Sequence, residues 1–222
     1  MDAALLDLYD TVAHTRWSEL SARFASELDV DLAALYRGYD LTRDERSVGA
    51  FGSREGDMVA IVEAAGVDPS PALIERLLSM ESAFAETGIE LWEDSLPVVE
   101  ELRGRGVRTA LISNCSHSTR GIVERLGIAE AFDEVVLSFE VGLRKPDPAI
   151  YRIALDRLGV VPERSVFVDD QPAYCDGAAA LGIATFLIDR SGDTTPDEDG
   201  HRVISDLRAL LDDAPPITRS RG

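Results

Sequence analysis

Short apolar runs, each closed by a polar residue, alternate with amphipathic stretches along most of this chain. The runs fall at residues 3–6, 107–112, 135–137, 165–168 and 184–188. They are too short for helices and read as buried strands. Between them, residues 96–105, 119–126, 149–158 and 172–181 place apolar side chains at three- and four-residue spacing, and several of these stretches end in glycine. That is the helical period with its usual stop signal. The alternation predicts an α/β fold, a Rossmann-like, doubly wound and mostly parallel sheet. Sheets of this kind bind ligands beyond the carboxyl ends of their strands. Asp7, Ser113 and Asp169 stand at those ends.

Residues 14–94 break the alternation. Helical patterns occur at 17–28, 32–39, 56–65 and 71–86, and no stretch reads as a strand. The expectation is an α-helical cap domain, 14–94, inserted into a core made of 1–13 and 95–213. The Gly49-Ala50-Phe51-Gly52 stretch reads as its flexible loop. From Ala214 onward proline and arginine appear without an apolar period, so 214–222 reads as a disordered tail. There is no internal repeat.

Charge narrows the function. With 41 Asp and Glu against 22 Lys and Arg, the net charge is −19. A phosphate backbone would be repelled and no basic patch is visible, so nucleic acid is not an expected partner. No apolar run approaches the roughly 20 residues of a membrane span, and no basic-then-apolar leader opens the chain. Two cysteines, Cys115 and Cys175, make no disulfide framework, so the expected location is cytoplasmic, away from membranes. Oligomeric state is not legible. Among the 22 cationic residues there is one lysine, Lys145. An isolated mobile ammonium in an arginine-rich chain is a candidate for work that a guanidinium cannot do.

Four polar clusters follow the strand runs in order: Asp7-Leu8-Tyr9-Asp10-Thr11, Ser113-Asn114, Arg144-Lys145-Pro146-Asp147-Pro148, and Asp169-Asp170-Gln171. A carboxylate nucleophile can attack phosphorus only if nearby negative charge is offset, and Mg²⁺ on clustered carboxylates does this. A serine hydroxyl and an ammonium can then hold phosphoryl oxygens. His14 and His117 lie near the clusters, but three histidines make no metal set. Cys115 reads as a buried small hydrophobe, and Trp17 and Trp92 as packing. Arginines 16, 37, 43, 46 and 54 gather in the insertion, mostly as solvated faces, with one or two able to reach an anionic substrate.

The ordered clusters resemble the haloacid dehalogenase superfamily over nearly the whole chain, and the insertion resembles its subclass I cap. The resemblance implies a hydrolase with Asp7 as nucleophile, Thr11 orienting it, and Ser113 and Lys145 binding the transferring group. It implies Mg²⁺ held by Asp7, the Tyr9 carbonyl, Asp169 and Asp170. Substrate contacts would come from Ser113, Asn114, Lys145 and Arg37. The substrate expected is a small phosphorylated metabolite, cleaved through an aspartyl-phosphate.

The chain departs from the phosphatase pattern at Tyr9. Phosphatases of the superfamily usually carry an aspartate there as general acid, and losing a positioned acid costs roughly 10²–10⁴ in rate. Asp10 is a possible replacement, although strand alternation would point it to the opposite face. Tyrosine at this position is typical of the 2-haloacid dehalogenases, whose halide leaves without a proton, and Arg37 falls near their cap arginine. Those enzymes need no metal and carry Ser-Ser-Asn where this chain has Asp169-Asp170-Gln171. They also keep an aspartate where this chain has Tyr174. Two adjacent acids beside Asp7 would repel strongly without a cation, so the fourth cluster weighs toward phosphoryl transfer. A dehalogenase, or an impaired member that binds a ligand or partner, are the alternatives.

Overall fold

The computed structural model describes residues 1–192 and 201–214. Eight strands occur among them: β1 (Ala3–Leu6), β2 (Ala13–Thr15), β3 (Ile89–Leu91), β4 (Arg108–Ser113), β5 (Glu134–Leu137), β6 (Ser165–Asp169), β7 (Ala184–Ile188) and β8 (Arg202–Ile204). Six of them form one parallel sheet in the order β5-β4-β1-β6-β7-β8. β1 is buried at every residue, which is why it reads as a continuous apolar run instead of alternating. From β4 the chain winds outward to β5, then crosses to β6 on the other side of β1. The order therefore reverses at the carboxyl end of β1, where doubly wound sheets open their ligand crevice.

Helices cover both faces. Ala4 and Leu6 pack with Val98, Val99 and Leu102 of α6 (Ser95–Gly104), while Ala3 and Leu5 pack with Ile150, Tyr151 and Ala154 of α10 (Pro148–Leu158). α7 (Thr119–Arg125), α8 (Ile128–Ala131) and α12 (Leu210–Asp213) join the first face. α11 (Pro172–Ala179) joins the second, and α9 (Ser138–Val141) follows β5. α10 starts where Asp147 accepts the Ala149 N–H at 2.8 Å, with Pro148 in its first turn.

The insertion holds α1 (Trp17–Leu28), α2 (Leu32–Leu41), α3 (Arg43–Ser47), α4 (Arg54–Ala64) and α5 (Pro71–Thr87). Leu20, Phe24, Leu35, Ile61 and Leu77 form its interior, continuous with the apolar face under α6. Two features differ from the sequence reading. The stretch 14–94 was expected to hold no strand, yet its ends pair as an antiparallel ribbon, Ala13↔Leu91 through Thr15↔Ile89. Two three-residue strands, one centred on His14 and the other on Glu90, carry no strand signature. β8 escapes for the same reason, offering only Val203 and Ile204 beside Arg202. The expected loop at 49–52 is a turn packed on the core: a Cβ on Gly49, at φ +73°, would lie 2.5 Å from the Phe139 carbonyl oxygen. The expected tail, 214–222, lies outside the described residues after Ala214. No helix among the described residues is long and apolar enough to cross a membrane.

Candidate active site

Asp7 is the first residue beyond β1, and its N–H donates to the Val168 carbonyl at 3.0 Å. That bond fixes it at the carboxyl edge, between β4 and β6. Ser113 ends β4, Asp169 ends β6, and Asp170 follows. Lys145 comes from the loop between α9 and α10 and is clamped from behind. Asn114 Nδ2 donates to the Lys145 carbonyl at 2.8 Å, and the Lys145 N–H donates to Asn114 Oδ1 at 2.7 Å. Gly177 on α11 lets the helix press on this loop: a Cβ there would meet Pro146 at 2.8 Å.

Lys145 Nζ is fully buried, donating to Asp7 Oδ1 and, at 2.6 Å, to Asp169 Oδ2. Carboxylate oxygens of Asp7, Asp169 and Asp170 all lie within 4.8 Å of one another. One ammonium thus faces three carboxylates, and the imbalance appears in their acidities. Burial alone would lower the Lys145 pKa, but Asp7 and Asp169 outweigh it and hold it above the ordinary lysine range. Burial raises Asp7 despite Lys145. Burial and the neighbouring Asp7 push Asp169 up to about 6. Burial, with Asp169 and Asp10 nearby, pushes Asp170 up to about 6 as well. Three hard oxygen donors with surplus negative charge fit Mg²⁺, and Asp7, Asp169 and Asp170 would hold it.

The structure thus brings Asp7, Lys145, Asp169 and Asp170 together, with Ser113 and Asn114 at the neighbouring strand end. Ser113 Oγ is buried and makes no hydrogen bond among the described residues. Other expected roles change. Thr11 Oγ1 is buried and makes no hydrogen bond among the described residues, so its hydroxyl is not bonded to Asp7. Its carbonyl instead accepts from Arg190 at 2.6 Å, because the turn after Asp7 carries Thr11 into the base of the insertion. Asn114 lines the cavity, and one donor and one acceptor site of its amide hold the Lys145 backbone in place. Arg37 lies exposed on α2 and is not among the cavity-lining residues, because the buried positions of that helix are Ala34, Leu35 and Gly38. Tyr9 lines the cavity with its hydroxyl 3.3 Å from Thr119 Oγ1, and burial raises its pKa beyond the ordinary tyrosine range. Its phenol stays protonated.

A cavity of about 900 Å³ separates the insertion from the sheet edge. Asp7, Asp10 and Asp170 line it from the core; Trp17, Tyr39, Arg46, Asp57 and Glu81 line it from the insertion. Asp10 reaches it because β1 ends at Leu6 and the chain turns. Asp10 sits at φ 59°, so the expected strand alternation does not apply. Burial raises its pKa, offset in part by His14. Two side-chain bridges span the cavity's rim. His117 Nδ1 lies 2.8 Å from Asp57 Oδ2, and Arg144 pairs with Asp44. Sequence reading missed the Asp57 contact, since nothing local announces a pairing across 60 positions.

Chemically, a buried carboxylate beside an ammonium, a free hydroxyl and two further acids suits nucleophilic displacement on a small substrate enclosed by the insertion. The comparisons agree with a hydrolase. A family model for haloacid dehalogenase-like hydrolases matches residues 1–182. A glyceraldehyde 3-phosphate phosphatase of Methanopyrus kandleri is 30% identical over 199 residues, 85% of this chain and 84% of that protein. An (S)-2-haloacid dehalogenase of a Pseudomonas species is 32% identical over 130 residues, 58% of this chain. Some curated relatives are matched over little more than half their length, 55% for that dehalogenase and 58% for a phosphatase of Mycobacterium tuberculosis. Among solved structures, a 2-haloacid dehalogenase from Pseudomonas syringae superposes with a TM-score of 0.72 at 21% identity, covering 96% of this chain and 97% of that one. Relatives of both kinds share one hydrolase scaffold, and this chain belongs to the haloacid dehalogenase-like hydrolase family.

Proposed function

We propose that the chain is a Mg²⁺-dependent phosphatase of small phosphorylated metabolites. The observation that carries this reading is the acidic cluster: three carboxylates gather where one ammonium pairs with two of them, and Asp169 and Asp170 are pushed up to about 6. A reaction needing no cation would gain nothing from that surplus charge. The likeness to a phosphatase over 84% of its length supports the same reading. When bound, Mg²⁺ would offset the charge of the site and of the phosphoryl group.

In this reading an Asp7 oxygen attacks phosphorus, a P–O bond to Asp7 forms, and the P–O bond to the leaving group breaks. Ser113 Oγ and Lys145 Nζ hold the phosphoryl oxygens. The leaving oxygen takes a proton from Asp10, the cavity-lining carboxyl whose burial raises its pKa. Water then attacks the aspartyl-phosphate, Asp10 accepts its proton, and phosphate departs with Asp7 regenerated. Tyr9, held protonated, cannot serve as the base.

The test is phosphate release from p-nitrophenyl phosphate with Mg²⁺ and with EDTA. Wild type should turn over only with the metal, and Asp7→Asn should abolish it. Asp10→Asn should slow alkyl phosphates by roughly 10²-fold or more and p-nitrophenyl phosphate far less, because the aryl leaving group needs no proton. Equal losses on both would remove Asp10 from the acid role. Tyr9 favours a second reading, dehalogenation, in which Asp7 attacks carbon and expels halide. Chloride release from 2-chloropropionate without metal, and no phosphate release, would establish that instead.

A further inference from the structure

Five arginines line the cavity, and they are not equivalent. Arg54 is 2.6 Å from Glu81, Arg43 is 2.5 Å from Asp40, and Arg144 pairs with Asp44. Arg125 reaches the Ile89 carbonyl at 2.8 Å. Arg46 differs from the paired three. Its guanidinium is half-buried, and no carboxylate lies within 4.0 Å of it among the described residues. It is nonetheless held firmly: Nε donates to Thr42 Oγ1 at 2.9 Å, Nη2 donates to the Tyr39 carbonyl at 2.9 Å, and the group lies 5.0 Å from the Tyr39 ring centre. These anchors fix the planar fork and leave Nη1 without a described partner. The acids closest in charge are engaged elsewhere, Glu81 with Arg54 and Asp57 with His117. Desolvation lowers the Arg46 pKa, the mark of a cation held from water without a paired anion.

We propose that Arg46 is the receptor for a second anionic group on the substrate, a carboxylate or phosphate distal to the scissile phosphoryl group. The substrate class is then a small phosphate monoester with an anion at its far end. This rests on the phosphatase reading. A pre-oriented, partly desolvated guanidinium offers a planar oxyanion charge-assisted hydrogen bonds and loses little entropy in making them. It stands on α3 of the insertion, across the cavity from Asp7 on the core, so a two-ended ligand would bind both halves of the molecule at once.

The experiment is calorimetric titration, with Mg²⁺, of three non-hydrolysable probes: propylphosphonate, 3-phosphonopropionate and propane-1,3-diphosphonate. Wild type should bind the carboxylate-ended or the diphosphonate probe about 10- to 100-fold more tightly than propylphosphonate, and which one gains identifies the distal group. Arg46→Gln should erase that advantage while leaving propylphosphonate affinity and the melting temperature unchanged. Equal affinity of wild type for all three overturns the proposal. So does a preference that survives Arg46→Gln, or one that Arg37→Gln removes instead. If Arg46→Gln weakens all three probes alike and lowers the melting temperature, Arg46 is a prop for the α2–α3 turn and the proposal fails. Turnover of p-nitrophenyl phosphate, measured alongside, reports on the phosphatase reading by itself. Turnover without an Arg46-dependent preference overturns only this proposal; no turnover and no phosphonate binding overturn both.

Discussion

Lys145 shares its ammonium between Asp7 and Asp169 while Asp170 looks on, and the acidities of the cluster follow from that ratio. Asp169 and Asp170 rise from 3.8 to about 6 in the folded chain. A raised carboxyl pKa means that the folded state binds the proton more tightly than the unfolded one. In the metal-free protein the resulting stabilisation is fully present below pH 3.8 and is lost as pH rises through about 6. Mg²⁺ competes for the same oxygens and binds their ionised form. Saturating Mg²⁺ should therefore raise the melting temperature more at about pH 7.5 than at about pH 5. A gain independent of pH, read by calorimetry, would separate the metal from these carboxylates. The residues of this cluster were legible in sequence because each closes an apolar strand run, and because the lone lysine stood out among arginines. Arg46 was legible only as one of several arginines in the insertion. What distinguishes it is that it lines the cavity without a carboxylate partner among the described residues, and both conditions are properties of three-dimensional packing.

The elements that join insertion to core converge on Asp94. Its Oδ2 accepts from Arg190 Nη1 at 2.8 Å and from the Leu207 N–H at 2.6 Å, and Arg190 Nη2 reaches the Thr11 carbonyl at 2.6 Å. The Arg190 guanidinium lies 5.0 Å from the Trp92 ring, and Ser95 Oγ donates to the Val12 carbonyl at 2.7 Å. This knot fixes the core end of the β2–β3 ribbon, where Thr11, Val12 and Trp92 flank its two strands, to the end of β7 and the start of α6. Burial opposes ionisation of Asp94, but the Arg190 and Leu207 hydrogen bonds prevail and hold its carboxyl below the usual range. Its contribution is present above the ordinary aspartate pKa and fades as pH falls through the lowered one. Asp94→Ala strands a nearly buried guanidinium and should cost about 3 kcal/mol in urea unfolding at neutral pH. A cost below about 1 kcal/mol would show that Arg190 finds water or another acid instead. None of this knot was readable from sequence. β2 and β3 are three residues each, and β8, which precedes Leu207, is no longer. Ribbons that short are set by their partners and not by a local hydrophobic period. The long central strands and the capped helices were readable because burial on two faces writes a continuous apolar run.

Across the whole molecule, insertion and core share apolar packing, and polar bridges join them around a cavity of about 900 Å³. The Arg144–Asp44 pair is exposed on the Asp44 side, so it should contribute little. The His117–Asp57 contact is largely buried, and Asp57 also accepts the His117 N–H at 3.2 Å. Asp57→Ala should therefore loosen the insertion against the core without unfolding either. The expected signs are faster hydrogen exchange in α4 and a KM raised several-fold with a smaller change in kcat. Unchanged exchange would show that apolar packing, including the Gly49 approach to Phe139, holds the two parts together alone.

The position of β1 has a consequence for how the protein is made. The strand that leads into Asp7 leaves the ribosome before every other strand of the sheet, yet it ends in the centre of that sheet, between β4 and β6. Neither neighbour exists until the insertion has been synthesised, and the second is complete only at Asp169. Until β4 is complete at Ser113 an apolar strand with two unpaired edges must wait, and one edge stays open until β6, while the helices of the insertion, whose contacts are local, can form around it. Long-range parallel pairing is slow, and an open apolar edge invites self-association. Chain elongation sets the timing of the cluster: Asp7 and Lys145 are 138 positions apart. A nascent chain stalled before β6 would have its helical insertion in place but neither the paired strand that fixes Asp7 nor the acids that accompany it.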